Sequence, residues 1–353
     1  MSRKLDHFLK RSLRPLRRKL RKFRGAMLFR VLKWSCILLK PKIGLTYLNS
    51  SKADGVGAQI QRILAIRSLS NSLHLGYLHT EIGSLAIHPL DSYRNIEEMK
   101  VFLLKLNNEF WMESTEDYSI ENLRESQTKT LTFSFLFTSI LRTKFSRKKT
   151  LIRLVEPYPI SEHDPDLYQD IRKFLPNFVL PLKSGASVAV HYRRGVGGFA
   201  IQRGERVSRE IAGNYFASLA KEIIDINQTP DLKLQIFTDS PIEDVVFTPP
   251  KVQSDLWTNS PSFSEGDMHV LGLNVQDYFK DISVDLEIFY GGDPLEVIKS
   301  LAGADHLILS RSSFGYVAAI LNDSGKVYFP SQFWHAPMRG WRIIRESVYE
   351  KMD

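Results

Sequence analysis

The segment SVAVHYRRGVGGFA, Ser187–Ala200, joins an apolar run to two adjacent arginines and a loop holding Gly195, Gly197 and Gly198. Ser187–Tyr192 reads as a β-strand, which places His191, Arg193 and Arg194 at or just past its carboxyl end. Two arginines before three glycines suit an anion better than a core. A guanidinium grips two phosphate oxygens at once and stays charged at any relevant pH. The glycines let backbone N–H groups approach the same charge closely. Strand neighbours point to opposite faces, so Arg193 and Arg194 share one site only if the chain bends. One is expected to contact phosphate and the other to brace the loop. The plain alternative is a surface ion pair beside a loop.

Downstream of this segment, helical and strand patterns alternate. REIAGNYFASLAKEIIDI reads as a helix, KLQIFTD as a strand and VDLEIFY as a further strand. DPLEVIKSLAGA reads as a helix capped by Asp293 with Pro294 in its first turn. DHLILS, SSFGYVAAILN and KVYFP then read as strand, helix and strand. Such alternation predicts a parallel, doubly wound sheet, and ligands of such sheets bind beyond the carboxyl ends of the strands. Arg193, Arg194, Thr238, Asp239 and Ser310 to Ser313 all fall there.

Upstream, KIGLTYLNS reads as a strand, followed by the glycine loop ADGVGAQ, a helical pattern and a second strand, YLHTEI, with Gly76 as a helix stop. NIEEMKVFLLKLNNEFW reads as helical, and LTFSFLFTSILR fits either a strand or a buried helix. EPYPISEHDPDLYQDIRKFLP is a proline-punctuated approach to a short helix. The boundary between the two halves is expected near Pro176–Gly185.

The chain has 353 residues, 43% of them hydrophobic, enough for two domains with real cores. Its single cysteine, Cys36, excludes an internal disulfide framework and fits a reducing, cytoplasmic setting. The net charge of +9 is unevenly placed: residues 1–42 hold 15 Lys/Arg against Asp6 alone, and the remainder is slightly acidic. An acidic body without a recognition motif argues against nucleic acid as the partner. In the basic segment, Met27–Leu39 is apolar but interrupted by Arg30 and Lys33, and is short for a bilayer span. No small-residue cleavage site follows it, so a secretory signal peptide is not expected. One reading is a basic amphipathic segment resting on anionic lipid, with Phe29 and Trp34 at the interface and peripheral contact with a membrane. The other is a solvated basic arm with a helix docked on the body.

HYRRG resembles the His-x-Arg-Arg-Gly signature of the GDP-fucose-dependent fucosyltransferase superfamily, which includes the α-1,2, α-1,6 and protein O-fucosyltransferases. Three further pieces match in order: GVGAQIQR is similar to the Gly-x-Gly-x-Gln loop of the α-1,2 group, QIFTDSP to the strand ending in Thr-Asp or Ser-Asp, and GADHLILSRSSFGYVAAIL to the late Ser-x-Ser-Ser/Thr-Phe motif. The resemblance spans roughly residues 45–335, with long weak stretches between the motifs. It implies an α/β, GT-B-like fold of two Rossmann-like domains: a tail over 1–42, an acceptor-side domain over 43–180 and a nucleotide-sugar-binding domain over 181–353. It implies a GDP-sugar donor, a glycan acceptor and no metal or other cofactor. By the same resemblance Arg193 or Arg194 binds the β-phosphate, His191 shapes the strand end and Asp239 lies near the nucleoside. Ser310, Ser312, Ser313 and Phe314 line the diphosphate and sugar, and Gly55 and Gly57 form the first loop. Phosphate before Ser312 also has a physical rationale, since helix N-termini favour anions. One departure is clear: Val196 stands where the family often has an aspartate after the Arg-Arg segment.

An inverting transfer needs a carboxylate to take the acceptor proton and cations to stabilise the departing GDP. Glu205, in QRGERVSREI, is the first candidate base, beside Arg194 in the catalytic set; Glu210 and Asp54 are alternatives. A surface pairing of Glu205 with Arg203 or Arg206 is the plain reading. Asp164-Pro165-Asp166, the sole Asp-x-Asp, reads as a helix cap rather than a metal ligand. PSQFWHAPMRGW offers Trp334, His335 and Trp341 either as a sugar-stacking wall or as a packed seam. A same-fold transferase with another nucleotide sugar, and a non-catalytic nucleotide- or glycan-binding protein, remain open.

Overall fold

The computed structural model describes residues 23–48, 55–80, 82, 123–124, 130–146, 149–175, 178–181, 186–193, 199–202, 205–208, 211, 213–227, 229, 231–238 and 275–346, with backbone alone for 123–124, 146, 199–202 and 205–208. The chain forms two compact units. The first comprises Met1–Leu48, Arg62–Thr80 and Leu106–Gln169, and the second Asn49–Gln61, Glu81–Lys105 and Asp170–Asp353.

The first unit is built on four parallel strands in the order β2-β1-β4-β3: β1 (Ile43–Tyr47), β2 (Gly76–Leu78), β3 (Leu123–Arg124) and β4 (Thr150–Leu154). Leu45 sits opposite Tyr77 on one side and Ile152 on the other. Every residue of β1 is buried, as befits a parallel strand covered on both faces. No strand is expected from the sequence over Thr150–Leu154, yet β4 lies inside the sheet; its five residues carry an arginine and no clear alternation.

Helix α1 occupies residues 23–39 and ends at Lys40, whose left-handed φ of 44° precedes Pro41. It packs through Gly25, which faces the His163 ring, and through buried Phe29, Leu32 and Cys36. Phe29, expected beside Trp34 at an interface, is therefore a core residue; the spacing of 25, 29, 32 and 36 puts it on the inward stripe. Helix α2 (Val56–Ser72) begins within the glycine motif itself and is buried on nearly all sides. The ambiguous run 131–142 belongs to α3 (Phe133–Ser146), whose 14 residues exceed a strand's usual length. A short helix, α4 (Tyr158–Ser161), follows β4, and a 3₁₀ turn, Ile171–Phe174, opens the last stretch of the second unit.

The second unit holds β5 (Ser187–Tyr192), a hairpin β6 (Phe199–Gln202) and β7 (Glu205–Ser208), α5 (Gly213–Asn227), β8 (Lys233–Thr238), α6 (Val275–Phe279), β9 (Asp285–Tyr290), α7 (Pro294–Gly303), β10 (His306–Ile308), α8 (Ser313–Leu321), β11 (Lys326–Pro330) and β12 (Arg342–Ile344). Six strands make one parallel sheet in the order β12-β11-β10-β5-β8-β9. Asp293 caps α7 as expected, its carboxylate accepting from the N–H groups of Leu295 and Glu296. The antiparallel hairpin and β12 are not anticipated by the sequence pattern; both are short and lack apolar alternation. The two all-parallel sheets match the α/β architecture with parallel sheets expected above.

Alternation along β5 sorts its side chains. Val188, Val190 and Tyr192 enter a core with Tyr215, Phe216 and Leu219 of α5. His191 points the other way, stacking on Phe314 of α8 at 5.7 Å between ring centroids.

Candidate functional site

Topology singles out one place in the second unit. From β5 the chain moves outward through β8 and β9, then returns to β10 and moves the other way through β11 and β12. β5 and β10 are thus the adjacent strands at which the order reverses. Doubly wound sheets hold ligands in the crevice beyond the carboxyl ends of such a pair.

Two short runs meet there residue by residue. The N–H of Ser310 donates to the carbonyl of His191 at 3.1 Å, extending the β5–β10 pairing past the strand ends. His191 Nδ1 lies 2.7 Å from Ser310 Oγ, both buried. Two residues on, and so on the same face of the chain as His191, Arg193 Nη1 lies 3.5 Å from Ser312 Oγ. Ser312 is the N-cap of α8: its backbone is extended and its hydroxyl accepts from the N–H of Phe314. The result is a half-buried guanidinium beside the positive end of a helix dipole, which together favour a bound anion.

Two glycines make this packing possible. A Cβ on Gly315 would stand 2.9 Å from His191 Nδ1, so α8 can approach the strand only without a side chain there. A Cβ on Gly57, a residue of the same unit, would stand 2.5 Å from Phe314 Cα and 2.7 Å from its nitrogen. The first glycine motif therefore abuts the cap of α8. Gly55, just before α2, accepts from the N–H groups of Ala58 and Gln59 at 3.0 and 3.2 Å.

Arg311 lies between the two site serines but serves the fold. Its guanidinium donates to Glu346 at 2.9 Å, and both residues are buried. Glu346 also accepts from the Ser331 N–H and hydroxyl and from the Gln332 N–H. Burial alone would raise the Glu346 carboxyl, but the Ser331 hydroxyl, the backbone N–H groups and Arg311 outweigh it and hold it below the usual range. Local sequence carries no signal for this brace, because the partner is 35 positions away.

Of the other sequence candidates, Ser313 opens α8. Thr238 ends β8 and is buried, opposite Tyr192 of β5. Arg194, Asp239, Glu210 and Asp54 lie outside the described residues. Glu205 is placed by its backbone as the first residue of β7, paired with Gln202 across the hairpin turn. Asp164 behaves as a turn-former: one oxygen accepts from the Asp166 N–H at 3.1 Å, and the other from the Ser72 hydroxyl. Among Trp334, His335 and Trp341, the packed seam is what forms: Tyr316 meets the Trp341 ring at 5.3 Å and the His335 ring at 5.0 Å, and its hydroxyl donates to the Ala336 carbonyl.

No protein-family model and no curated protein matches the chain. Among solved structures it is similar to POFUT1 in complex with GDP, at 9% identity and a TM-score of 0.41, over 85% of this chain and 97% of that one. POFUT1 in complex with GDP-fucose is similar at 10% identity and a TM-score of 0.40, over 86% and 97%. A glycosyl transferase of family 9 from Veillonella parvula is similar at 12% identity and a TM-score of 0.34, over 87% of each chain.

Proposed function

We propose that this chain is a GT-B-like glycosyltransferase that moves fucose from GDP-fucose to a glycan hydroxyl, with inversion and without a metal ion. The observation that carries the reading is the meeting of His191 and Arg193 with Ser310 and Ser312 at the reversal point of a doubly wound sheet. Every one of these residues belongs to a stretch that resembles, in the same order, a motif of the fucosyltransferase superfamily.

In this reading Arg193 and the N-terminus of α8 hold the diphosphate, with Arg194 bracing the loop. His191, fixed by Ser310 and Phe314, sets the floor beneath it. The acceptor oxygen attacks the anomeric carbon while the bond from that carbon to the β-phosphate oxygen breaks. GDP leaves with the electron pair, and Arg193 stabilises the charge that grows on it. Glu205 takes the acceptor proton.

Calorimetric titration of GDP, UDP and ADP into the full chain tests this. Selective GDP binding is expected, weakened about tenfold to a hundredfold by Arg193→Ala, since a hydrogen-bonded charge contributes about 1.5–3 kcal/mol. Equal binding of all three nucleotides, or none by a folded chain, sinks the reading. With GDP-fucose and an acceptor panel, Glu205→Gln should lower turnover by at least about a hundredfold while leaving GDP affinity intact. A chain that binds GDP yet releases none from GDP-fucose is a binding protein instead. A full-length chain is required, because α1 contributes Phe29, Leu32 and Cys36 to the core.

A further inference from the structure

Helix α1 has two apolar stripes, and among the described residues only one is covered. Gly25, Phe29, Leu32 and Cys36 face inward. Phe23, Met27, Val31, Trp34 and Leu38 recur at intervals of four, four, three and four residues, which at about 100° per residue keeps them on one line. All five are exposed, from 45% for Val31 to 73% for Leu38, and Ile37 borders them at 37%. The line runs for about 22 Å at 1.5 Å per residue. Cations border it: Arg24, Arg30 and Lys40 are exposed and Lys33 is half-buried. No aspartate or glutamate occurs between Asp6 and Asp54.

We infer that this outer stripe of α1 docks on the surface of an anionic lipid bilayer, with Trp34 at the headgroup boundary and the basic residues against the lipid phosphates. Charge selects this occupant. Covering the stripe with a second copy of the chain would bring Arg24, Arg30 and Lys33 of two helices, with no acid on either, within a screening length of about 8 Å of one another. An anionic bilayer answers both features at once: it takes up the apolar line and neutralises its borders. The helix lies on such a surface rather than crossing it. Among the described residues no helix is long and apolar enough to span a membrane. The inward stripe is also already occupied by the body. The structure adds to the sequence the identity of the face: Trp34 belongs to it and Phe29 does not.

Flotation of the full chain with vesicles of phosphatidylcholine alone, and with vesicles containing roughly 30% phosphatidylserine, provides the test. Binding is expected only to the anionic vesicles. It should weaken at least about tenfold in the triple variant Met27→Gln, Val31→Gln, Leu38→Gln, with thermal unfolding unchanged because these side chains leave the core intact. Should the triple variant fail to fold, bromine-labelled lipid provides a second readout. Such lipid should quench tryptophan emission in the parent and quench it less in Trp34→Phe. The inference is overturned if the parent ignores anionic vesicles, or if the triple variant binds them as well as the parent does. It is equally overturned if Trp34→Phe leaves quenching unaltered. A parent dimer that the triple variant dissolves, without vesicle binding by either, assigns the stripe to a second copy. None of these outcomes depends on nucleotide binding.

Discussion

Each parallel sheet pairs its first strand with one from later in the chain, β1 with β4 in one and β5 with β10 in the other, but among the described strands the order reverses at β5 and β10 alone, since β1 to β2 and β3 to β4 step the same way. What lies beyond the strand ends differs. Past β1 and β4, the N–H of Leu48 donates to the Leu154 carbonyl at 2.7 Å, and the chain continues through apolar Leu48 and Val155. Past β5 and β10 stand Arg193, Ser310 and Ser312. Two arginines mark the contrast. Arg67 in the first unit is 2% exposed, lies 5.6 Å from the Tyr77 ring centroid and is pulled below its ordinary pKa by burial, which the nearby phenol partly offsets. Arg193 in the second unit sits half-buried at a strand end beside a helix cap. Strand order makes a crevice beside β5 and β10, and the side-chain chemistry there favours an anion.

Substitution of Gly57 should produce the largest effect and probe the contrast most directly. Gly57→Ala drives a methyl group into the backbone of Phe314, so overpacking of about 1–3 kcal/mol is expected together with loss of nucleotide affinity. Gly25→Ala in the first unit has as its nearest atoms those of the His163 ring, the far end of a side chain rather than backbone. It should cost less and leave nucleotide binding untouched. Thermal unfolding and calorimetry of the two variants check this, and equal behaviour would erase the distinction between the units.

Acid titration comes next. Burial pulls His79 in the first unit down to about 4, and the Tyr77 hydroxyl lies 3.2 Å from its Nδ1. Burial pushes the Tyr77 phenol up, so it remains protonated and shares a hydrogen bond with that nitrogen. A histidine with a depressed folded pKa contributes stability above its unfolded value that is lost as pH falls from about 6.5 towards about 4. The loss should reach about 2 kcal/mol by pH 5 and be flattened in His79→Gln. His306 in the second unit shifts the same way, by burial first and then by Lys326 and Arg342 against Asp305, so part of the slope should persist in that variant. Unfolding midpoints at pH 7 and pH 5 separate the two contributions.

Ser312→Ala is the mildest test. Loss of an N-cap hydroxyl costs about 1 kcal/mol, and a neighbour of Arg193 disappears, so GDP affinity should fall several-fold with the fold retained. An unchanged affinity would make the cap purely structural.

Much of the second sheet is legible in the sequence because its strands and helices are punctuated by caps and stops. Asp293-Pro294 opens α7, and Ser312 opens α8, each at the position that its residue type implies. The first unit is less legible. β4 carries Arg153 among apolar neighbours, and run 131–142 lacks a decisive period, so pairing and length settle what local propensity leaves open. The hairpin carrying Glu205 is invisible for a similar reason: its strands have four residues each and meet only across their own turn.

The sequence by itself determined that a strand carrying His191 leads into Arg193, and that a serine-capped helix follows a later strand, because both features are local. It also determined that positive charge gathers before residue 43. Only the tertiary structure decided which groups meet. Strand alternation and the β5–β10 pairing bring His191 to Ser310 and Arg193 to Ser312 across more than a hundred residues of chain, and set Gly57 against Phe314. The same packing assigned Phe29 to the core and Trp34 to the surface, since a helix that is apolar on two sides can bury only the side its neighbours cover.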